Sequence, residues 1–217
     1  MTCTIIIEGT ELKVRNGSSV LYAALDNGFY IPNLCSIRDN PKPFASCRLC
    51  FVEIKGQPDP VTACTSRVID GMEIKLQSPR IARLRKNSFD LLMNNHRLNC
   101  QRCDKKKKCD LQKIAKFEHF KLSDTLFRKI DFNLPIDSSH PLFSLDANKC
   151  ILCGKCIWIC QNEGTGQLDF SYRGIKTRIS TFGGIPLAEA CRDSCTACVA
   201  ICPVGAFQFK KVSATNA

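Results

Sequence analysis

Apolar and polar residues alternate over Cys3–Ile7 and again over Glu11–Val14, with Gly9-Thr10 between the two runs. A period of two broken by a glycine turn predicts an N-terminal β-hairpin. Ser18 and Ser19 precede Leu21, Ala24 and Leu25, a spacing that predicts a short helix stopping at Asn27-Gly28. Residues 32–50, rich in proline and cysteine, read as a loop, and short strands are predicted at Phe51–Ile54 and Met72–Leu76. Ser78-Pro79 opens a longer helix, since serine caps and proline suits the first helical position. Ile81, Leu84, Leu91 and Leu92 give that helix an apolar stripe, and Asn94-Asn95 end it at His96. A further helix is predicted over Leu111–Phe120. Residues 121–145, with Pro135 and Pro141, read as a polar, extended connector.

From Asp146 onward two cysteine runs, starting at Cys150 and Cys191, lie about forty residues apart. They form an internal repeat with an insert between its halves. Cys153–Cys160 and Cys198–Cys202 each predict a helical turn or more. Leu168–Tyr172, Lys176–Thr181 and Phe207–Phe209 are predicted strands. The expected organisation is therefore 1–77, 78–120, a connector 121–145, 146–211 and a tail 212–217.

Cysteine usage changes the picture most. Fifteen of the 16 cysteines and one histidine fall into four groups of four. They are Cys35-x11-Cys47-x2-Cys50-x13-Cys64, His96-x3-Cys100-x2-Cys103-x5-Cys109, Cys150-x2-Cys153-x2-Cys156-x3-Cys160 and Cys191-x3-Cys195-x2-Cys198-x3-Cys202-Pro203. Thiolates in such density select iron–sulfur clusters, which exchange single electrons. Cys3 is left over and, alternating with Ile5 and Ile7, reads as a buried strand residue. His119 and His140 lack neighbouring cysteines at fixed offsets and read as surface residues. Trp158 reads as packing, and Lys105–Lys108 as a solvated loop able to meet an acidic face of a partner.

Other chemistries fit less well. The start Met1–Glu8 lacks the basic and apolar regions of a signal peptide, and no apolar run approaches the roughly 20 residues that span a bilayer. A disulfide scaffold is disfavoured, and the expectation is a soluble cytoplasmic protein. The formal charge of +11 invites nucleic-acid binding. Ligating cysteines are thiolates, however, and four oxidised clusters would contribute about −7, leaving about +4. A zinc-rich, basic nucleic-acid-binding protein remains the rival from another class, and a free-standing polyferredoxin a second. No dinucleotide fingerprint, Walker sequence or hydrolase elbow occurs, so no catalytic site is expected in this chain.

A small sheet crossed by one helix, with a cysteine-rich loop beside it, resembles the β-grasp arrangement of [2Fe–2S] ferredoxins. Four thiolates also suit zinc, and eleven residues separate Cys35 from Cys47 where plant-type proteins have four. The Cys150 run resembles the bacterial ferredoxin pattern, whose fourth cysteine ligates the other cluster. That resemblance implies one [4Fe–4S] on Cys150, Cys153, Cys156 and Cys202, and another on Cys160, Cys195 and Cys198 with Cys191 as fourth ligand. Gln161 stands where proline usually follows. Cys191 is one residue farther from Cys195 than the pattern asks, which leaves open a three-cysteine site with a labile iron. The fold class expected is α+β: an N-terminal β-grasp [2Fe–2S] domain, a small helical His-Cys3 segment and a C-terminal two-cluster ferredoxin-like domain.

The order of these sites resembles an electron-transfer region shared by three protein types. They are the large iron–sulfur subunit of NADH:quinone oxidoreductase, the N-terminal region of iron-only hydrogenases and the small diaphorase subunit of NAD-linked nickel–iron hydrogenases. Gly28–Cys35, Cys47-Arg48-Leu49-Cys50 and Cys150–Cys156 carry the likeness. The polar tail Val212–Ala217 follows the ferredoxin pair, where the larger types continue, and the small diaphorase subunit fits most nearly. The resemblance implies one [2Fe–2S] and three [4Fe–4S] clusters, a flavoprotein NAD(P)H-binding partner, a hydrogenase catalytic partner and a ferredoxin as a further one. The same relay in a formate dehydrogenase or an electron-bifurcating complex would carry the same motifs.

Overall fold

The computed structural model describes residues 1–123 and 132–210. The tail 212–217 and positions 124–131 of the expected connector lie outside the described residues. The chain divides into two compact units, Met1–Leu92 and Met93–Ala217.

In the first unit, β1 (Thr2–Ile7) and β2 (Thr10–Arg15) form the expected hairpin. Its turn is Glu8-Gly9, and both residues have positive φ (48° and 79°), the geometry that matches the twist of paired strands. β3 (Phe51–Ile54), β4 (Val61–Thr62) and β5 (Met72–Lys75) complete a five-stranded sheet in the order β2-β1-β5-β3-β4. β1 and β5 are parallel, and every other pair is antiparallel. Helix α1 (Val20–Asp26) is capped by Ser19, whose hydroxyl accepts the Tyr22 N–H. Its Val20, Leu21, Ala23 and Ala24 share one buried core with Ile5, Ile7, Val52 and Ile74. Each large aliphatic side chain buried there contributes about 1.5–3 kcal/mol. Cys3 belongs to that core.

Ser78 caps α2 (Pro79–Asn95), its hydroxyl accepting the Ile81 N–H at 3.1 Å. The buried face differs from the expected stripe. Ile81, Arg85, Phe89 and Met93 are buried along one i,i+4 row, while Leu91 is 59% exposed. Arg85 is tolerated there because its guanidinium donates to the carbonyls of Phe51 (2.9 Å) and Leu76 (3.0 Å).

The second unit contains α3 (Asp110–Phe117), β6 (Phe143–Leu145), α4 (Lys155–Glu163), β7 (Leu168–Ser171), β8 (Arg178–Thr181), α5 (Leu187–Ala190), α6 (Ala197–Ile201) and β9 (Phe207–Phe209). β6 pairs antiparallel with β9, and β7 with β8. Helices α4 and α6, each carrying cysteines, pack together. The end of the expected connector is not featureless, since β6 lies in it and Asp137 bridges to Leu145. His140, expected at the surface, is fully buried, with both ring nitrogens satisfied by backbone groups. No helix among the described residues is long and apolar enough to cross a membrane.

Candidate iron–sulfur sites

In the first unit Cys50 immediately precedes β3 and Cys64 follows β4, so the sheet fixes both. Hydrogen bonds from Ala63 N–H to Cys50 C=O (2.8 Å) and from Leu21 N–H to Ala63 C=O (3.0 Å) tie the pair to α1. Cys35 and Cys47 come from the loop, with their sulfurs 3.4 Å apart, well beyond a disulfide bond length. All four thiols are buried. Arg48, between Cys47 and Cys50, holds a φ of 51°, a turn that lets both cysteines face one site. Within each of the pairs Cys35/Cys47 and Cys50/Cys64 one thiol shares its proton with the other. That hydrogen bond lowers Cys35 to about 6 and lowers Cys64, while it raises Cys47 and Cys50 well above the usual thiol range. Removing the remaining protons calls for a cation, which is what an iron core supplies.

In the second unit Cys100, Cys103 and Cys109 are electrostatic neighbours. Burial raises the Cys109 thiol most, while the first-turn N–H groups of α3 at Gln112 and Leu111 oppose it. Cys103 Sγ accepts a hydrogen bond from Gln208 Nε2 at 3.4 Å. A Cβ on Gly205 would stand 2.5 Å from the same sulfur. His96 is buried, and its Nδ1 lies 2.7 Å from the Lys149 carbonyl oxygen. A carbonyl only accepts, so the proton sits on Nδ1 and the lone pair on Nε2, the arrangement of a metal-ligating imidazole. Of the lysine run, Lys105 donates to the Cys202 carbonyl at 3.1 Å, and Lys106, Lys107 and Lys108 are exposed.

The two ferredoxin-like runs exchange their last cysteines. Cys150, Cys153, Cys156 and Cys202 line one cavity, walled by Ile151, Ile179, Val204 and Phe207. Leu152 (φ 54°) and Gly154 (φ 80°) wrap the backbone between these cysteines, and Leu152 N–H donates to Cys150 Sγ at 3.3 Å. Burial, reinforced by neighbouring thiols, pushes Cys150 up to about 12 and Cys156 well above its usual value. Cys191, Cys195, Cys198 and Cys160 form the other neighbourhood. There burial, then the adjacent thiols, raises Cys191 to about 11 and Cys198 to about 12. Cys191 thus sits with the set despite its offset. Among the described residues no three His, Cys, Asp or Glu side chains converge closely enough to hold a single ion.

Thiol sets of this kind suit iron–sulfur cores by donor chemistry, burial and mutual repulsion when empty of cations. Comparison with known proteins agrees. Residues 1–79 match the 2Fe-2S iron-sulfur cluster binding domain, and residues 85–119 match the NADH-ubiquinone oxidoreductase-G iron-sulfur binding region. The NADPH-Fe(3+) oxidoreductase subunit alpha of Geobacter sulfurreducens is 35% identical over 93% of this chain, which spans only 23% of that protein. The gamma subunit of the NAD-reducing hydrogenase HoxS of Cupriavidus necator is 30% identical over 98% of this chain and 89% of its own length.

The chain belongs to the family of iron–sulfur electron-transfer subunits that includes this gamma subunit. A chain of a solved NAD+-reducing [NiFe]-hydrogenase in the H2-reduced state superposes on the family member described here with a TM-score of 0.85. The match is 31% identical and covers 99% of this chain and 90% of that one. Gly205 and Gln208, beside Cys103 Sγ, and His140, bonded to the carbonyl of the residue after Cys191, are neighbours of the candidate ligands that motif reading missed. Gly205 alone left a trace in the sequence, as a glycine three residues after the last cysteine with no turn partner beside it.

Proposed function

We propose that this chain is a single-electron relay joining a flavoprotein subunit that handles NAD(P)H to a hydrogenase catalytic subunit. One [2Fe–2S] cluster is assigned to Cys35, Cys47, Cys50 and Cys64 in a domain of β-grasp type. Three [4Fe–4S] clusters are assigned to His96, Cys100, Cys103 and Cys109, to Cys150, Cys153, Cys156 and Cys202, and to Cys160, Cys191, Cys195 and Cys198. The observation that carries the reading is the crossed grouping of thiols, with Cys202 beside the Cys150 run and Cys160 beside the Cys191 run. That exchange is the mark of a protein holding two cubane clusters side by side.

When bound, such clusters pass electrons one at a time. The chain's own contribution is to hold the thiolates at fixed positions, to wall the Cys150 site with apolar side chains that exclude water, and to orient His96 through the Lys149 carbonyl.

Anaerobic purification tests the proposal. The protein should be brown, carry about fourteen irons per chain, and co-purify with a flavoprotein and a hydrogenase subunit in high salt. A colourless, zinc-loaded protein, or one that binds neither partner, would overturn it.

A further inference from the structure

The Cys191 loop carries one residue more than the ferredoxin spacing, and the structure shows what absorbs it. Arg192–Cys195 is a tight turn, closed by a hydrogen bond from Cys195 N–H to the Arg192 carbonyl at 2.9 Å. The same carbonyl lies 3.1 Å from Nε2 of His140. Leu142 N–H donates to Nδ1 of that ring at 3.2 Å, so Nδ1 is the acceptor and the ring proton is on Nε2, aimed at Arg192. The ring is fully buried and stacked on Phe143, with centroids 4.0 Å apart.

The segment before His140 grips the other side of Cys191. Asp137 Oδ2 accepts the Leu187 N–H (2.9 Å) and Ser139 Oγ the Ala188 N–H (3.1 Å), which fastens the first turn of α5. Cys191 directly follows that helix.

We infer that His140 is a positioning residue: by holding the Arg192 carbonyl it takes up the additional residue and keeps Cys191 with Cys160, Cys195 and Cys198. The inference rests on the proposed cluster at those four cysteines. Loss of the His140 N–H would leave the Arg192 carbonyl held by the Cys195 N–H alone, which loosens the turn and lets the Cys191 side of the site open.

The test uses the full chain in its complex, purified anaerobically. Ferricyanide takes one electron from a [4Fe–4S]2+ core, and a loosely held core then releases Fe2+ and leaves [3Fe–4S]+. Bathophenanthroline disulfonate reads the released iron, and electron paramagnetic resonance reads the three-iron core. Cys191→Ala supplies the reference signal of this site. His140→Leu should give the same signal and release iron about fivefold faster than the unsubstituted protein, the size expected for the loss of one of the two hydrogen bonds to that carbonyl. His140→Gln, which restores an N–H donor, should stay within about twofold of the unsubstituted protein.

Equal behaviour of His140→Leu and the unsubstituted protein would overturn the inference. So would equal damage in His140→Gln, or loss of every cluster in His140→Leu, since either would report packing rather than the turn. Unchanged iron content in Cys191→Ala would overturn the cluster assignment itself, and this inference with it.

Discussion

Nδ1 of His96 lies 2.7 Å from the carbonyl oxygen of Lys149, the residue immediately before Cys150. One hydrogen bond and one peptide unit therefore connect the imidazole of one proposed site to a cysteine of the next. In a neutral ring the bond holds the proton on Nδ1 and leaves the Nε2 lone pair for a ligand bond. Replacing the ring by a thiolate adds a negative charge to the cluster and disfavours the incoming electron. His96→Cys is expected to retain a cluster and to lower its midpoint potential by on the order of 100 mV. A redox titration followed by electron paramagnetic resonance checks this, and an unchanged potential would remove His96 from the ligand set.

Gly205 has a steric role rather than a conformational one. A Cβ there would meet Cys103 Sγ and Gln208 Nε2, each at 2.5 Å. The glutamine side chain can swing aside, but a cysteine held to iron cannot. Gly205→Ala is expected to lose the iron of the His96 site while the first-unit [2Fe–2S] site stays loaded. Iron analysis with Mössbauer spectroscopy separates the two.

Local chemistry made much of this legible from the sequence. The hairpin, the Ser78 cap and strand Phe207–Phe209 follow from period, capping and β-propensity, all of which act between near neighbours. The cysteine spacings marked the candidate ligands for the same reason, whereas the placing of Cys202 with the Cys150 run and of Cys160 with the Cys191 run came only with the ferredoxin resemblance. Arg85 and His140 were illegible because each is buried through bonds to backbone carbonyls outside its own element, Phe51 and Leu76 for one and Arg192 for the other. A polar residue paired in this way leaves no periodic signal, and on the page it reads as surface. Leu91 illustrates the converse, a leucine in apparent register that the i,i+4 row from Ile81 to Met93 leaves outside.

Cluster retention should depend on pH differently in the two units. Cys150 and Cys198 are pushed up to about 12 and Cys191 to about 11, chiefly by burial. Protons therefore compete with iron at these sulfurs throughout the neutral range, and each step down in pH favours the thiol over the ligand. In the Cys35 site only Cys47 and Cys50 are raised, while their partners Cys35 (to about 6) and Cys64 are lowered by the shared hydrogen bonds, so fewer protons compete with iron there. Iron loss to a chelator between pH 8.5 and 6.5 should rise more steeply for the [4Fe–4S] sites than for the [2Fe–2S] site. Parallel pH profiles would contradict this ordering.

Arg85 fastens helix α2 to the strand that begins beside the proposed ligand Cys50. Its guanidinium donates to the carbonyls of Phe51, the residue after Cys50, and Leu76, the residue after β5. Arg85→Leu preserves apolar volume but leaves the buried Leu76 carbonyl and the part-buried Phe51 carbonyl without these donors, a loss expected to cost about 2–4 kcal/mol. The effect should reach the cluster, because β3 carries Cys50 into the site and Arg85 pins its first peptide. Loss of the [2Fe–2S] visible absorption on heating should therefore begin at a lower temperature in Arg85→Leu. Arg85→Lys, which keeps the charge but replaces the guanidinium fork by a single ammonium, should fall between the two. Equal melting of all three proteins would show that the pair of carbonyl contacts contributes nothing to holding Cys50.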